Sequence, residues 1–120
     1  MAEEKYMIKK YENLYPKGFK KILDLNLIDF DIWFIMESDF ASKVELGLKT
    51  RYPERNLIPF AKKSDCDDLA CFEFNKEKPI QIIHDFASNG WEQRKELDTI
   101  WEWLEIAIED LIEFNKTESS

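Results

Sequence analysis

Residues 57–86 read LIPFAKKSDCDDLACFEFNKEKPIQIIHDF, three short apolar runs divided by two polar connectors, and their reading decides the fold. LIPFA, LACFEF and IQIIHDF carry branched and aromatic residues over spans too short for helices, which is the pattern of strands. KKSDCDD and NKEKP are short enough to join antiparallel neighbours. Pro59 has no N–H to donate, so LIPFA is expected to begin or edge the sheet at that point and not to thread its middle.

Working outward, residues 28–36, IDFDIWFIM, set Ile28, Phe30, Ile32 and Phe34 against Asp29, Asp31 and Trp33 with period two, a half-buried strand. Ser38 is placed as the cap of a following helix, in which Phe40, Val44 and Leu48 recur at four-residue spacing until Pro53 ends it. Upstream, residues 3–13 read as a first helix and residues 16–27 as a second. Pro16 stands in the first turn of the second, with Phe19, Ile22 and Leu23 on one side. Downstream, residues 96–114 read as a closing helix, and 116–120 as a disordered tail. The expectation is an α+β fold: N-terminal helices, a central, mostly antiparallel sheet of about four strands, and a long acidic C-terminal helix packed on it, in one domain over 1–115.

Hydrophobic residues are 44% and charged residues 35% of the 120, with three glycines, so the chain is globular rather than disordered. The longest uncharged apolar run is IWFIM, far short of the roughly 20 residues of a membrane-spanning helix, and the first residues lack the basic-then-apolar order of a signal peptide. The protein is therefore read as cytoplasmic, with Cys66 and Cys71 as thiols. Zinc needs four ligands, and two cysteines with the single His84 fall short. Asp65, Asp67 and Asp68 with Ser64 lack the glycine and distal glutamate of a calcium loop and read as a turn. His84 and Asp85 are adjacent in a strand, point to opposite faces and cannot simply form a relay. No metal, cofactor or catalytic residue is expected, and the protein is not read as an enzyme.

Charge is unevenly placed. Residues 96–113 hold seven acids (Glu96, Asp98, Glu102, Glu105, Glu109, Asp110 and Glu113) and no lysine or arginine, so they carry nearly all of the net charge of −8. On a helix, Leu97, Ile100, Trp101, Leu104, Ile108 and Leu111 share one face and are assigned to the core, each contributing about 1.5–3 kcal/mol on burial. Asp98, Glu102, Glu105, Glu109 and Glu113 share an adjacent face, where like charges repel by about 0.2–0.5 kcal/mol per pair. Trp103, Ile106 and Phe114 fall on the far flank of that stripe. Such a stripe is either a solvated face or a docking surface, and it excludes nucleic acid, which requires a basic footprint.

Residues 51–74, RYPERNLIPFAKKSDCDDLACFEF, followed by a strand, a tryptophan and an acidic helix, resemble the SUKH superfamily. In that superfamily a strand ending in a Pro-Phe-Ala-like element leads through an acidic turn into a second strand. Here these are residues 57–61, 65–68 and 69–74; Cys66 and Asp67 stand where many members carry a glycine. The resemblance implies an α+β immunity protein, an antitoxin that binds and neutralises a cognate bacterial polymorphic toxin, and the acidic stripe points to a basic toxin of nuclease type. The alternative it leaves is an intracellular regulatory adaptor that binds a host-cell protein. Expected partner-binding residues are Asp98, Glu102, Trp103, Glu105, Ile106, Glu109 and Glu113 on the helix and Asp65, Asp67 and Asp68 in the turn. The partner is a toxin domain, neither nucleic acid nor membrane, and the protein itself is read as a monomer or weak dimer.

Overall fold

The computed structural model describes the backbone of residues 2–119 and the side chains of residues 4–116. In chain order the elements are α1 (Ala2–Tyr6), a 3₁₀ turn (Lys9–Tyr11), α2 (Lys17–Asp24), β1 (Asp29–Phe30), β2 (Trp33–Ile35), α3 (Ser38–Arg51), β3 (Ile58–Lys63), β4 (Asp68–Phe72), β5 (Ile80–His84), β6 (Gln93–Leu97) and α4 (Ile100–Ser119). The strands form one sheet in sequence order, each antiparallel to its neighbours.

The class is the expected α+β, but the sheet has six strands where about four are predicted. Residues 28–36 are a hairpin and not one strand: Asp31 sits at φ 64°, and its N–H donates to Asp29 Oδ1 at 2.9 Å. Aspartate tolerates this left-handed geometry, and its neighbour's carboxylate closes the turn. The other addition is β6, QRKEL, in which only Leu97 is buried. A charged edge strand of this kind has no apolar alternation to announce it, and its charges guard the open edge against further pairing. Because β6 takes residues 96 and 97, α4 begins at Ile100 instead of 96. At its other end α4 continues to Ser119, so residues 116–119 are helical and not a loose tail.

The first predicted helix resolves into α1 and the 3₁₀ turn, with Met7 and Ile8 buried between them. Pro16 stands at the N-cap of α2, and Phe19, Ile22 and Leu23 are buried as expected. Glu37, not Ser38, occupies the cap position of α3, and no side chain caps it. Although β3 lies inside the sheet, β2 pairs only with residues 61–63 of it, so beside Pro59 the strand has β4 as its single neighbour. There the register slips between Pro59 and Ala61, which accommodates the missing donor.

The sheet separates two unlike layers. On one face Trp103 of α4 meets the rings of Phe30, Trp33 and Phe60 edge-on at 5.6, 6.0 and 5.1 Å. Phe60 stacks on Phe72 at 4.3 Å, and Phe19 and Tyr15 close the cluster from α2 and the segment before it. Edge-on pairs of this kind add about 0.5–1.5 kcal/mol each beyond the area they bury. Gly18 is needed here, since a Cβ would come within 2.6 Å of Ile100 and keep α2 from closing on α4. On the other face, the row Phe34, Lys62, Leu69 and Ile83 is turned toward α3, where Phe34 stacks on Phe40.

Candidate functional site

The phase of α4 differs from the one read in the sequence. Ile100, Trp103 and Ala107 face the sheet, whereas Trp101 and Ile108, assigned to the core, are exposed; Leu104 and Leu111 are half-buried on one flank. Trp103, expected to anchor a partner, is 0% exposed and stands at the centre of the aromatic cluster, so it is removed from the docking residues. Ile106, also expected there, is half-buried against the core. The periodicity itself holds. Two sides of this helix are apolar, and periodicity fixes spacing without choosing which side turns inward.

That choice places a surface on the outside of α4. Trp101, Ile108 and Ile112 are 44, 37 and 45% exposed, and at about 100° per residue they line up nearly opposite Trp103. Glu105 and Glu109 lie along the same side, exposed and, among the described residues, without an ion pair or hydrogen bond. Glu113 and Asp98 are exposed at either end. Beside Trp101 a groove of about 350 Å³ opens between the start of α2 and the β4–β5 connection, lined by Pro16, Phe74, Pro79 and Asp98. Exposed apolar side chains set beside Glu105 and Glu109 form a surface suited to a partner that is itself apolar and cationic.

Two other acids of this helix serve the fold. Glu102 Oε1 accepts the N–H groups of Asp98 at 2.7 Å and Thr99 at 3.1 Å, the N3 half of a capping box, which ties this carboxylate to the helix start. Asp110 accepts the Trp33 indole N–H at 2.9 Å and lies 4.0 Å from Lys63. Asn115 donates to Asp31 at 2.8 Å, which fixes the far end of α4 to the β1–β2 turn.

The acidic turn divides likewise. Asp65 and Asp67 are exposed, with Asp67 4.0 Å from Lys62, whose ammonium donates to the Cys66 carbonyl at 2.8 Å. Asp68 is drawn into the sheet, where it meets His84 Nδ1 at 2.8 Å and Arg94 Nε at 3.5 Å. Asp85 instead takes both ends of the Arg51 guanidinium at 2.8 Å, so the adjacent His84 and Asp85 serve separate partners, as their alternation requires. Cys66 and Cys71 are free thiols, and burial pushes both pKa values up. No three His, Cys, Asp or Glu side chains among the described residues converge in a way that could hold a metal ion.

Buried charge is what the sequence reading missed. Glu45, Glu73, Gln81, Asp85 and Glu92 are all buried, and all lie on the α3 side or at its margin. Arg55 binds Glu73 through two nitrogens at 2.8 and 3.3 Å, Glu92 at 2.9 Å and Gln81 at 3.4 Å. Burial opposes the Glu92 carboxylate, but N–H bonds from its own backbone and Gly90, together with Arg55, outweigh it and hold its pKa below the ordinary value. Glu45 receives the Tyr11 hydroxyl and lies 3.6 Å from Lys10. Burial and then that carboxylate push the Tyr11 pKa up to about 12. Arg51 at the end of α3 and Arg55 four residues beyond it were the available signal, since two arginines beside a strand bearing Gln81 invite a network.

A second concavity of about 340 Å³ lies between α3 and the sheet, with Val44, Gly47 and Leu69 beneath and Phe40 and Phe86 at its mouth. Phe86 is 66% exposed at φ 67°, and its ring lies 4.0 Å over the Arg51 guanidinium. The other non-glycine residues at positive φ are Asn26 and Asp31, which favour that region; a phenylalanine there carries about 1–3 kcal/mol of strain. Gly47 admits the Arg51 side chain, because a Cβ would meet its guanidinium at 2.6 Å.

No helix among the described residues is long and apolar enough to cross a membrane. Comparison with family models, with curated proteins and with solved structures returns no match for this chain.

Proposed function

We propose that this chain is a cytoplasmic immunity protein that neutralises a cognate toxin domain of nuclease type by docking on it, without chemistry of its own. The observation that carries the reading is the outer face of α4, where Trp101, Ile108 and Ile112 stand exposed among Glu105 and Glu109. The likeness of residues 51–74 to SUKH proteins supports it from the sequence side. A nuclease must be basic to hold phosphate, so an acidic face gains encounter rate and orientation against such a partner. Apolar side chains at its centre supply the desolvated contact that slows dissociation, with the groove beside Trp101 receiving a side chain of the toxin.

The test is co-expression with a candidate toxin, taken as the variable C-terminal domain of a large secreted protein where one is encoded beside this gene. Cells that survive only when this chain is present, and that lose protection on Trp101→Ala with Ile108→Ser, bear the reading out. Cells that die regardless, with no complex formed between the purified proteins, reject it. A purified complex with one of the cell's own proteins through the same face assigns the chain to the adaptor class.

A further inference from the structure

We propose that the cleft between α3 and the sheet is a second binding site, independent of docking on α4, and that it takes a small planar aromatic carboxylate. Its volume of about 340 Å³ is roughly twice the ~150 Å³ of a cavity that admits benzene, so it suits a bicyclic ring with a short acidic arm. Val44 and Leu69 give that ring an apolar floor, and Phe40 and Phe86 give it aromatic edges at the mouth.

Charge selects the sign of the ligand. Lys43, Arg51 and Lys62 line the cleft against Asp67 and Asp85. Arg51 is held by Asp85 through two hydrogen bonds, and Lys62 by the Cys66 carbonyl with Asp67 at 4.0 Å. Lys43 remains exposed and, among the described residues, without a partner. The cleft thus has a surplus of one positive charge in a chain of net charge −8, which matches a monoanion and is too little for a polyphosphate.

Phe86 is the second, independent indication. Its backbone is held in a conformation phenylalanine avoids, yet two-thirds of the residue faces solvent at the mouth of the cleft. An exposed position at that φ would ordinarily fall to glycine or asparagine, and strain retained at a cleft mouth marks functional sites.

The experiment is a titration of the isotope-labelled full chain, followed by amide shifts and calorimetry, with indole-3-propionate, its neutral amide and the cationic tryptamine. Indole-3-propionate is expected to shift the amides of Val44, Gly47, Leu69 and Phe86 and to bind at least about tenfold tighter than the amide, the size of one charge-assisted hydrogen bond. Lys43→Met is expected to erase that preference. Phe86→Gly is expected to weaken binding about tenfold while leaving Tm unchanged or raised, because glycine takes the positive φ freely. Equal binding of all three compounds overturns the proposal. So does the absence of any binding at about 10 mM, or a Phe86→Gly variant that binds as the parent does.

Discussion

The two faces of the sheet are held by different physics. Under α4 the layer is aromatic: Phe19, Phe60, Phe72 and Trp103 interlock, the Trp33 indole N–H donates to Asp110, and the Trp103 indole N–H is buried with no acceptor among the described residues. Under α3 the layer is laced with ions, and Arg55 is the cation that meets Glu73, Glu92 and Gln81 together. Area and shape hold the first face, so an apolar side chain of similar volume is expected to serve there. The second depends on pairing, so the loss of a single member leaves its own partners buried without their counter-charge. The contrast teaches that tolerance to substitution in this protein follows the face and not the depth of burial.

The largest effect tests the charged face. Arg55→Met leaves Glu73 and Glu92 buried without a cation and is expected to cost about 3–5 kcal/mol in urea unfolding. A loss under about 1 kcal/mol would mean that water reaches the network and that the contrast between the faces is false. On the aromatic face, Trp103→Phe keeps most of the ring contacts and discards the unanswered N–H, so a cost below about 1.5 kcal/mol is expected. Trp103→Ala, which opens a cavity, should cost about 3–5 kcal/mol at the same site. The Arg55 and Trp103 pairs together separate a requirement for charge from a requirement for volume.

Acid sharpens the same contrast. Because the folded Glu92 carboxylate is held below its ordinary 4.5, its contribution is complete above that value and is lost as pH falls through the lower folded value. Stability should therefore be flat near neutrality and decline below pH 4.5, with a shallower decline for Glu92→Gln in urea titrations at several pH values. At the helix start, Glu102→Ala removes the carboxylate that accepts two backbone N–H groups and should lower stability by about 1 kcal/mol. Smallest of all, Glu105→Lys with Glu109→Lys changes exposed side chains that have no fold contacts to lose, and should move stability by no more than about 0.5 kcal/mol.

Much of this was legible beforehand, and for identifiable reasons. The strands at 58–63, 68–72 and 80–84 were marked by apolar runs and polar connectors, and α3 by its spacing and Pro53. The hairpin at Asp31 was hidden because a two-residue turn preserves the alternation around it, and β6 because an edge strand of charged residues carries no apolar signal. The phase of α4 was hidden because Trp101 and Trp103 offer two competing apolar sides, and only the aromatic cluster waiting on the sheet decides between them. Of the expected docking residues, Glu105, Glu109 and Glu113 are exposed on α4, Asp98 just before it, and Asp65 and Asp67 in the turn. Trp103 belongs to the core, Ile106 is half-buried against it, Glu102 belongs to the helix cap, and Asp68 to the pair with His84.

The claim that α4 presents a docking face is tested most directly by the association rate of the Glu105→Lys, Glu109→Lys variant with a purified toxin domain of the class proposed as its partner, measured across a range of salt concentrations. Association about tenfold slower than the parent at low salt, with the parent's salt dependence largely abolished and the fold intact, is the predicted result. Parent-like rates and salt dependence would contradict it and remove the outer face of α4 from the proposed interface.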